Sequence, residues 1–435
     1  MAPHRSFKVA PVSPLDSLRT SLAKNTALYR LALHKPIDSK MRFDQWYRIN
    51  ISIVTEMGLL LTSRKLKETF PYGIRLTCSI YHHQQQDLCD TPLEIEPLMK
   101  DVWEADSVTI APWPGFAPMS CHGGFKYHLP NDMVLSDACY LVIQPSIHSD
   151  AIMPLVIGPI KADPRQGSPS PTIRGWESAD TTIDGPIQNQ IHHKYAVNDT
   201  SQLLIKEHWC CGTAGKVWDS ALILTALFAH AIYCNPDRFA NHRILDLSAG
   251  TGYIGLYIAK LYQHHPQPPT VILTDVKKAL PLLYENQALN NVNVSVMPLL
   301  WGKKKDARQI TGPSSKWALR RAKPLDVVIA SDVLFNIKDM ASLIQTFNHL
   351  CTPGKTVLYF GYKRRGLKEE ELMEFFYRCQ PTFHIDRLEP TAPGASPLGS
   401  SLVLPNRSIP HHAHIALLLK CGASIYVLRK KESVK

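Results

Sequence analysis

The sequence lacks any apolar run long enough to cross a lipid bilayer, although hydrophobic residues make up 45% of its 435 positions. It also lacks a C-x-x-C motif and an internal repeat. Its ten cysteines are scattered, and the adjacent Cys210 and Cys211 cannot easily close an ordinary disulfide. Scattered thiols in a chain of this length indicate a reducing compartment. The neighbouring histidines at 192–193, 264–265 and 411–412 would point apart on regular structure, so we expect no metal site.

Acidic residues are few relative to basic ones. The chain has 48 Lys and Arg residues against 37 Asp and Glu residues, which gives a formal net charge of +11. This balance is compatible with acidic protein partners or RNA, but it carries no information about the fold. A chain of 435 residues exceeds one typical domain, so we expect two folding units, or one unit with an extension.

The N-terminus is basic and poor in acids. Residues 1–42 contain eight Lys and Arg residues, and their acids are Asp16 and Asp38. Apolar residues between 15 and 33 fall near one face of a helix. A basic amphipathic segment is typical of an organellar transit peptide, but an ordinary basic helix has the same composition. We expect a cytoplasmic protein, with a mitochondrial location as the alternative.

Residues 43–157 are the least informative part of the chain, because prolines interrupt their apolar runs. The stretch 158–197, which begins with many Pro, Gly and Ser residues, is predicted to be a linker. From residue 198 onward, apolar runs of strand and helix length alternate. We therefore predict one domain at 198–435 and an N-terminal extension of uncertain fold at 1–157. Runs in the extension with the composition of strands are 49–54, 74–81 and 140–143.

A strand, a glycine turn and a helix follow one another between Arg243 and Tyr262. Ile244, Leu245 and Leu247 form a short apolar run typical of a buried parallel strand. Ser-Ala-Gly-Thr-Gly at 248–252 then breaks the strand and opens an apolar helix. Glycine permits tight turns and lets a ligand approach the main chain. The G-x-G-x-x-G spacing alone also fits dinucleotide-binding dehydrogenases.

Strands and helices continue to alternate after this corner, which predicts a doubly wound, mainly parallel α/β sheet with ligands at the carboxyl ends of its strands. Either 414–420 or 424–429 could supply a closing antiparallel strand. The predicted strands are 243–247, 271–275, 293–299, 325–330, 355–361 and 382–388, and the predicted helices are 217–233, 252–263, 277–289, 337–350 and 367–379.

Five short motifs stand at the ends of these elements, in the order Val217–Ala221, Leu245–Gly252, Leu273–Asp275, Leu300–Gly302 and Ala330–Phe335. This set resembles the class I, S-adenosylmethionine-dependent methyltransferases. More narrowly, it resembles the protein-lysine methyltransferases of family 16, which modify chaperones and elongation factors. The resemblance covers about residues 200–430. It implies a seven-stranded Rossmann-like sheet, S-adenosylmethionine as cofactor, and a monomer that acts on a protein substrate.

The resemblance also implies a cofactor site. Asp275 would accept hydrogen bonds from the ribose hydroxyls, or alternatively cap the helix after it. Trp301 would stack on the adenine, unless it is a rim residue that covers the sheet. The family usually has glycine at the position of Ser248, and serine is disfavoured there if the backbone φ is positive. The residues assigned to cofactor binding are Trp218, Ser248, Ala249, Gly250, Asp275, Trp301 and Ser331.

Asp332 and Phe335 are the predicted catalytic residues. Methyl transfer to a lysine needs a neutral amine, whereas a free lysine has a pKa of about 10.4. A carboxylate could orient the amine, and an aromatic face tolerates a methylated ammonium. Asp332 and Phe335 match the family's Asp-x-x-Tyr/Phe motif, with phenylalanine in this chain. The alternative for Asp332 is to cap the helix predicted at 337–350.

Much of the excess positive charge lies in one insertion, residues 302–324. A solvent-exposed charged face is the favoured interpretation of this insertion. The more specific hypothesis is that it docks an acidic protein surface or RNA. The sequence lacks the Asn/Asp-Pro-Pro-aromatic motif of base-amine methylation, so an RNA or small-molecule methyltransferase is the less favoured alternative. A non-catalytic methyltransferase-like module is another, supported by Ser248 alone. The basic residues of the insertion are Lys303, Lys304, Lys305, Arg308, Lys316, Arg320, Arg321 and Lys323.

Overall fold

The computed structural model describes most of the chain, and its gaps are concentrated in the first 200 residues. Three segments named above lie outside the described residues: the basic start at 1–25, most of the predicted linker at 163–189, and the run at 414–420. The described residues are 26, 28–33, 37, 40–83, 90–98, 110–133, 139–146, 151–162, 190–198, 201–312, 324–391, 401–403 and 422–432.

The N-terminal extension folds into a large mixed sheet with a hydrophobic core of its own. The three predicted strand runs are confirmed, because they fall within β3, β4 and β9 as named below. One short helix, α1 (Ser63–Thr69), lies between β3 and β4. The strands are β1 (Tyr29–Leu33), β2 (Lys40–Met41), β3 (Gln45–Val54), β4 (Ile74–His82), β5 (Thr91–Pro92), β6 (Ile95–Glu96), β7 (Gly115–Phe116), β8 (His122–Leu129), β9 (Cys139–Pro145), β10 (Ile152–Met153), β11 (Leu155–Ala162), β12 (Gln190–Asn198) and β13 (Ser201–His208).

Two sequence expectations about this region were wrong at their boundaries. Tyr29–Leu33 is a strand rather than the end of a basic helix, because it pairs antiparallel with β3 along four residues. The predicted linker 158–197 begins and ends in strand, since β11 and β12 pair antiparallel with Val156 opposite His192. These strands bury apolar side chains in the core of the sheet. The stabilisation depends on tertiary contacts, which the local composition does not reveal.

The C-terminal half forms the second sheet, in the order β16-β15-β14-β17-β18-β21-β19-β20. Strands β14 to β18 are mutually parallel, and β21 runs antiparallel between β18 and β19. The expected mainly parallel, doubly wound α/β sheet is confirmed, with a short eighth strand added at its edge. The strands are β14 (Arg243–Leu247), β15 (Thr270–Asp275), β16 (Ser295–Pro298), β17 (Val327–Ser331), β18 (Val357–Lys363), β19 (Phe383–Thr391), β20 (Ser401–Val403) and β21 (Ala423–Lys430).

Helices pack on both faces of this sheet and create a separate apolar core on each. In the described part of the chain, no single helix is long and apolar enough to cross a membrane. One bent pair, the 3-10 segment Trp209–Gly215 and the helix Asp219–Cys234, has the length and composition of a membrane span, which is weak evidence by itself. The helices are α2 (Asp219–Cys234), α3 (Tyr253–Leu261), α4 (Leu280–Asn290), α5 (Lys304–Thr311), α6 (Met340–Leu350) and α7 (Glu369–Cys379).

The two sheets are joined by buried contacts. Strand β13 lies at the end of the first sheet's strand order, and helix α4 of the second unit covers it. The Asn290 amide oxygen accepts the Leu204 N–H at 2.8 Å, and Asn286 does the same for Lys206 at 2.8 Å. The side-chain amides thus bond the backbone groups at the edge of β13, where no further strand among the described residues pairs with them.

Candidate active site

The turn after β14 passes through left-handed backbone at Ser248 (φ 57°) and Gly250 (φ 58°). A Cβ on Gly250 would meet the carbonyl oxygen of Ala214 at 3.0 Å, so the turn is closely packed. Ser248 does carry a Cβ, and the left-handed conformation therefore costs roughly 1–2 kcal/mol. Its hydroxyl accepts a hydrogen bond from Trp301 Nε1 at 2.9 Å. That bond offsets part of the backbone cost and ties the turn to the aromatic wall.

Asp275 ends β15 and is almost completely buried, with 7% of its surface exposed. One carboxylate oxygen accepts the Gly250 N–H at 2.9 Å, and the other accepts the Val276 N–H at 2.7 Å. Burial raises the pKa of Asp275 against the opposing effect of these two bonds. A carboxylate can accept about four hydrogen bonds, so the donors among the described residues leave room for two more. The alternative as helix cap is not observed, because the 3-10 turn Lys277–Ala279 has Val276 at its N-cap.

Asp246, inside β14, is a second carboxylate that lines the same cavity. Its Oδ2 accepts the Gly255 N–H at 3.0 Å. Burial, together with the nearby charge of Asp275, raises the pKa of Asp246 to about 7 although the Gly255 bond lowers it. Asp246 lies within the motif Leu245–Gly252, but its role was not predicted from the sequence.

Trp301 and Phe335 form an aromatic pair on the cavity wall, with ring centroids 6.3 Å apart at an interplanar angle of 51°. The Phe335 side chain is 54% exposed, an unusual state for a large apolar residue. Trp301 is partly buried and packs against the core on one face of the sheet. An aromatic surface is therefore accessible at the opening of the cavity.

Trp218 precedes helix α2 and also lines the cavity rather than only packing in the core. Its Nε1 donates to the Thr213 carbonyl at 2.7 Å, which fixes the ring. The Arg365 guanidinium carbon lies 4.6 Å from the ring centroid, in cation–π contact. The ring and the guanidinium therefore stabilise each other's position.

Asp332 follows β17 with a left-handed backbone (φ 51°). Its Oδ1 accepts the Lys363 N–H at 2.9 Å and Arg365 Nη1 at 2.7 Å. Its Oδ2 accepts Arg365 Nη2 at 3.1 Å and the Ser220 N–H at 3.2 Å. These four donors fill the capacity of the carboxylate. A direct contact between Asp332 and a substrate amine therefore requires Arg365 to move away, and the predicted catalytic role of Asp332 stays a prediction.

The alternative that Asp332 caps the next helix is not observed. The 3-10 turn Ile337–Asp339 is capped by Asn336, and α6 begins only at Met340. Next to Asp332, the Ser331 hydroxyl shares a 2.7 Å hydrogen bond with that of Ser220. The end of β17 is thereby fixed to the start of α2.

One cavity of about 780 Å³ brings the predicted residues together. This volume is in the range of cofactor pockets. The cavity combines a glycine turn, a half-satisfied strand-end carboxylate and aromatic walls, and this donor and acceptor set fits S-adenosylmethionine. All nine predicted site residues line it: Trp218, Ser248, Ala249, Gly250, Asp275, Trp301, Ser331, Asp332 and Phe335.

Met57 and Arg365 also line the cavity and were not predicted from the sequence. Arg365 had a usable signal, since the basic run 363–365 begins at the last residue of a strand whose carboxyl end faces the site. Met57 had none, because it belongs to the N-terminal sheet. Among the described residues, no group of three or more His, Cys, Asp or Glu side chains could hold a metal ion.

The basic insertion is only partly described. Its first half is the helix α5, whose residues Ala307 and Ile310 are buried while Lys304, Lys305 and Arg308 are exposed. Residues 313–323 lie outside the described part. The described half is thus an ordinary amphipathic surface helix with a basic outer face, near Trp301 in the chain.

The strand order, the antiparallel β21 and a ligand cavity at the carboxyl ends of parallel strands define a class I S-adenosylmethionine-dependent methyltransferase. A family model described as "Lysine methyltransferase" matches residues 197–380. Residues 197–380 of the chain therefore match the methyltransferase domain of this family.

Several curated proteins resemble this domain. "EEF1A lysine methyltransferase 3" of Xenopus tropicalis is 28% identical over 193 residues, which are 43% of this chain and 75% of that protein. The Mus musculus protein of the same name is 30% identical over 179 residues, 40% of this chain and 66% of that protein. The Homo sapiens "Protein-lysine N-methyltransferase EEF2KMT" is 28% identical over 185 residues, 40% of this chain and 53% of that protein. Each of these matches therefore covers less than half of this chain.

Proposed function

We propose that this chain transfers a methyl group from S-adenosylmethionine to a lysine side chain of a protein substrate. The observation that carries the proposal is Asp275, a buried carboxylate in the cavity with two acceptor positions left for a ligand. When bound, the cofactor supplies an electrophilic methyl group on a sulfonium. The residues of the chain supply binding, orientation and exclusion of water.

Each part of the cavity has a separate task in this proposal. Asp275 would hold the ribose hydroxyls, and Trp301 would support the adenine. The left-handed turn at Ser248 and Gly250 exposes backbone on which the rest of the cofactor can lie. These interactions bind the donor without proton transfer, which suits a displacement at carbon.

The acceptor amine must reach the cavity neutral and correctly oriented. The exposed ring of Phe335 offers a face on which an alkylated ammonium is stabilised without a hydrogen-bond partner. Asp332 supplies negative charge near this point, balanced by Arg365. We assign orientation of the amine to this region and no acid–base step, since loss of the amine proton to solvent precedes transfer.

The substrate class that we propose is a translation elongation factor. The support is that similar proteins are named as methyltransferases of EEF1A and EEF2. The basic outer face of α5 would favour an acidic surface on such a partner.

We further propose that the chain acts as a monomer in the cytoplasm. Light scattering would test the oligomeric state, and imaging of a C-terminally tagged protein would test the location.

The experiment is methylation of purified elongation factor 1A and elongation factor 2 with radiolabelled S-adenosylmethionine. We expect label on one of them, and mass spectrometry should place it on a lysine. Asp275→Ala is the matched inactive variant. Total RNA as acceptor is the third arm, and label in RNA with none in protein would replace this proposal by the RNA alternative.

A further inference from the structure

A turn of the N-terminal sheet enters the methyltransferase cavity. The Thr55 N–H donates to the Leu59 carbonyl at 2.9 Å, and the Thr55 hydroxyl accepts the N–H groups of Met57 and Leu59 at 3.3 Å each. Met57 lines the cavity. Gly58 (φ 78°) lies so close to the Trp209 ring that an added Cβ would approach it to 2.9 Å. This turn, Thr55–Leu59, is therefore held by its own hydrogen bonds and packs closely on the methyltransferase domain.

Glu56, in the middle of the turn, is a buried carboxylate with 2% of its surface exposed. Its Oε1 accepts Lys363 Nζ at 2.7 Å and lies 3.6 Å from Arg365 Nε. Its Oε2 accepts the Thr26 hydroxyl at 3.2 Å. A charge from the N-terminal sheet thus contacts two cations at the end of β18.

The network extends to a second residue of the N-terminal sheet. Lys363 Nζ also donates to Asp219 Oδ2 at 2.6 Å, and Asp219 Oδ1 accepts Arg30 Nη2 at 2.7 Å. The side chains alternate in sign along the path, and the charges balance. The path runs through Arg30, Asp219, Lys363, Glu56, Arg365 and Asp332.

We propose that the N-terminal sheet is part of the catalytic unit, and that Glu56 is a positioning residue that holds Arg365 and thereby fixes Asp332 at the substrate end of the cavity. The proposal rests on the proposed function and adds a determinant outside residues 197–380. Buried charges are costly to leave unpaired, so each member of such a path restricts its neighbours. Arg365 transmits the restriction, because it bonds Asp332 through both terminal nitrogens.

Two variants separate positioning from charge balance. Glu56→Asp keeps the charge but shortens the side chain, and we expect kcat for elongation factor methylation to fall about 10-fold or more. The affinity for S-adenosylmethionine should stay within about threefold, because Asp275 and Trp301 are not part of the path and the Trp218 ring is also fixed by its bond to the Thr213 carbonyl. Glu56→Gln together with Lys363→Met removes one charge of each sign. We expect this double variant to regain the melting temperature that Glu56→Gln alone loses. Its kcat should stay as low as that of Glu56→Gln.

Asp90→Asn is the matched control, since it breaks the Asp90–Lys194 ion pair (2.6 Å) of the same sheet, away from the cavity. We expect it to leave kcat unchanged. Full kcat in both Glu56→Asp and the double variant would overturn the proposal.

Hydrogen exchange at the Ser220 amide gives a readout that needs no substrate, because this N–H donates to Asp332 Oδ2 at 3.2 Å and the Ser220 side chain bonds Ser331. We expect faster exchange in Glu56→Asp and no change in Asp90→Asn. Unchanged exchange in Glu56→Asp would also overturn the proposal. If the wild-type chain methylates neither elongation factor, the proposed function fails, while this exchange measurement still decides whether Glu56 holds Asp332.

Discussion

Asp275 and Asp332 each stand where a parallel strand of the same sheet ends, and both line one cavity, but their surroundings are opposite. Asp275 accepts two backbone N–H groups and contacts no cation within salt-bridge distance among the described residues. Asp332 accepts four donors, two of them from Arg365. A half-satisfied carboxylate is suited to take hydroxyl groups from a ligand, whereas a saturated one is suited to hold protein groups in place.

Asp275 and Asp332 also differ in the part of the chain that supplies their contacts. The residues that donate hydrogen bonds to Asp275 lie within the segment 197–380 that matches the family model. Asp332 depends on Arg365, which in turn lies beside Glu56 of the N-terminal sheet. The surroundings of Asp275 can therefore form within the domain alone, while the position of Asp332 also depends on a residue of the N-terminal sheet.

The largest effect that we expect is the loss of cofactor binding in Asp275→Ala. Two bonds to an ionised carboxylate contribute about 1.5–3 kcal/mol each, so the affinity for S-adenosylmethionine should fall below detection by calorimetry. Asp275→Asn keeps one acceptor and should bind with intermediate affinity. Near-wild-type affinity in Asp275→Ala would remove the contrast between the two carboxylates.

Asp332→Ala should produce the reverse pattern. It leaves the partly buried Arg365 without its bidentate partner, and breaking such an ion pair costs up to about 3–5 kcal/mol of stability. Turnover should be lost, whereas the affinity for S-adenosylmethionine should change little, because Asp275 is untouched. Chemical denaturation and calorimetry measure the two quantities. An equal loss of cofactor affinity in both variants would show that the two ends are not independent.

Local signals in the sequence predicted the second sheet, and the resemblance to the methyltransferase family singled out the nine candidate site residues. All nine line the cavity, and their individual roles stay predictions. The glycine turn at 248–252 and the strand-end Asp275 are readable from spacing. Glu56 and Met57 are not, since their roles depend on a fold of the first 200 residues that the interrupted apolar runs did not reveal. The boundary errors at 158–162 and 190–197 have the same cause: strand pairing across a long gap overrides local composition.

Asp246 should make the Asp275 end sensitive to pH. Burial raises the pKa of Asp246 to about 7, above the value near 3.9 of an unfolded aspartate. The folded chain then binds a proton that the unfolded chain has lost, so stability falls as pH rises from about 4 to about 7. Asp246→Asn keeps an acceptor for the Gly255 N–H and removes this loss, which is on the order of a few kcal/mol. The stability advantage of the variant should grow between pH 5 and pH 7.5 in urea titrations, and a constant difference would contradict it.

Ser248 gives the smallest and most local prediction for the same end. Ser248→Ala keeps the left-handed strain and removes the acceptor for Trp301 Nε1, so we expect a loss of about 1 kcal/mol of stability. Ser248→Gly removes both the strain and the acceptor, and these opposing effects should nearly cancel. Trp301→Phe in the Ser248→Gly background should then lose only the stability that packing of the larger indole ring contributes, because the hydrogen bond is already absent. Ser248→Gly more stable than the wild type by more than about 1 kcal/mol would show that the serine hydroxyl contributes nothing to the turn.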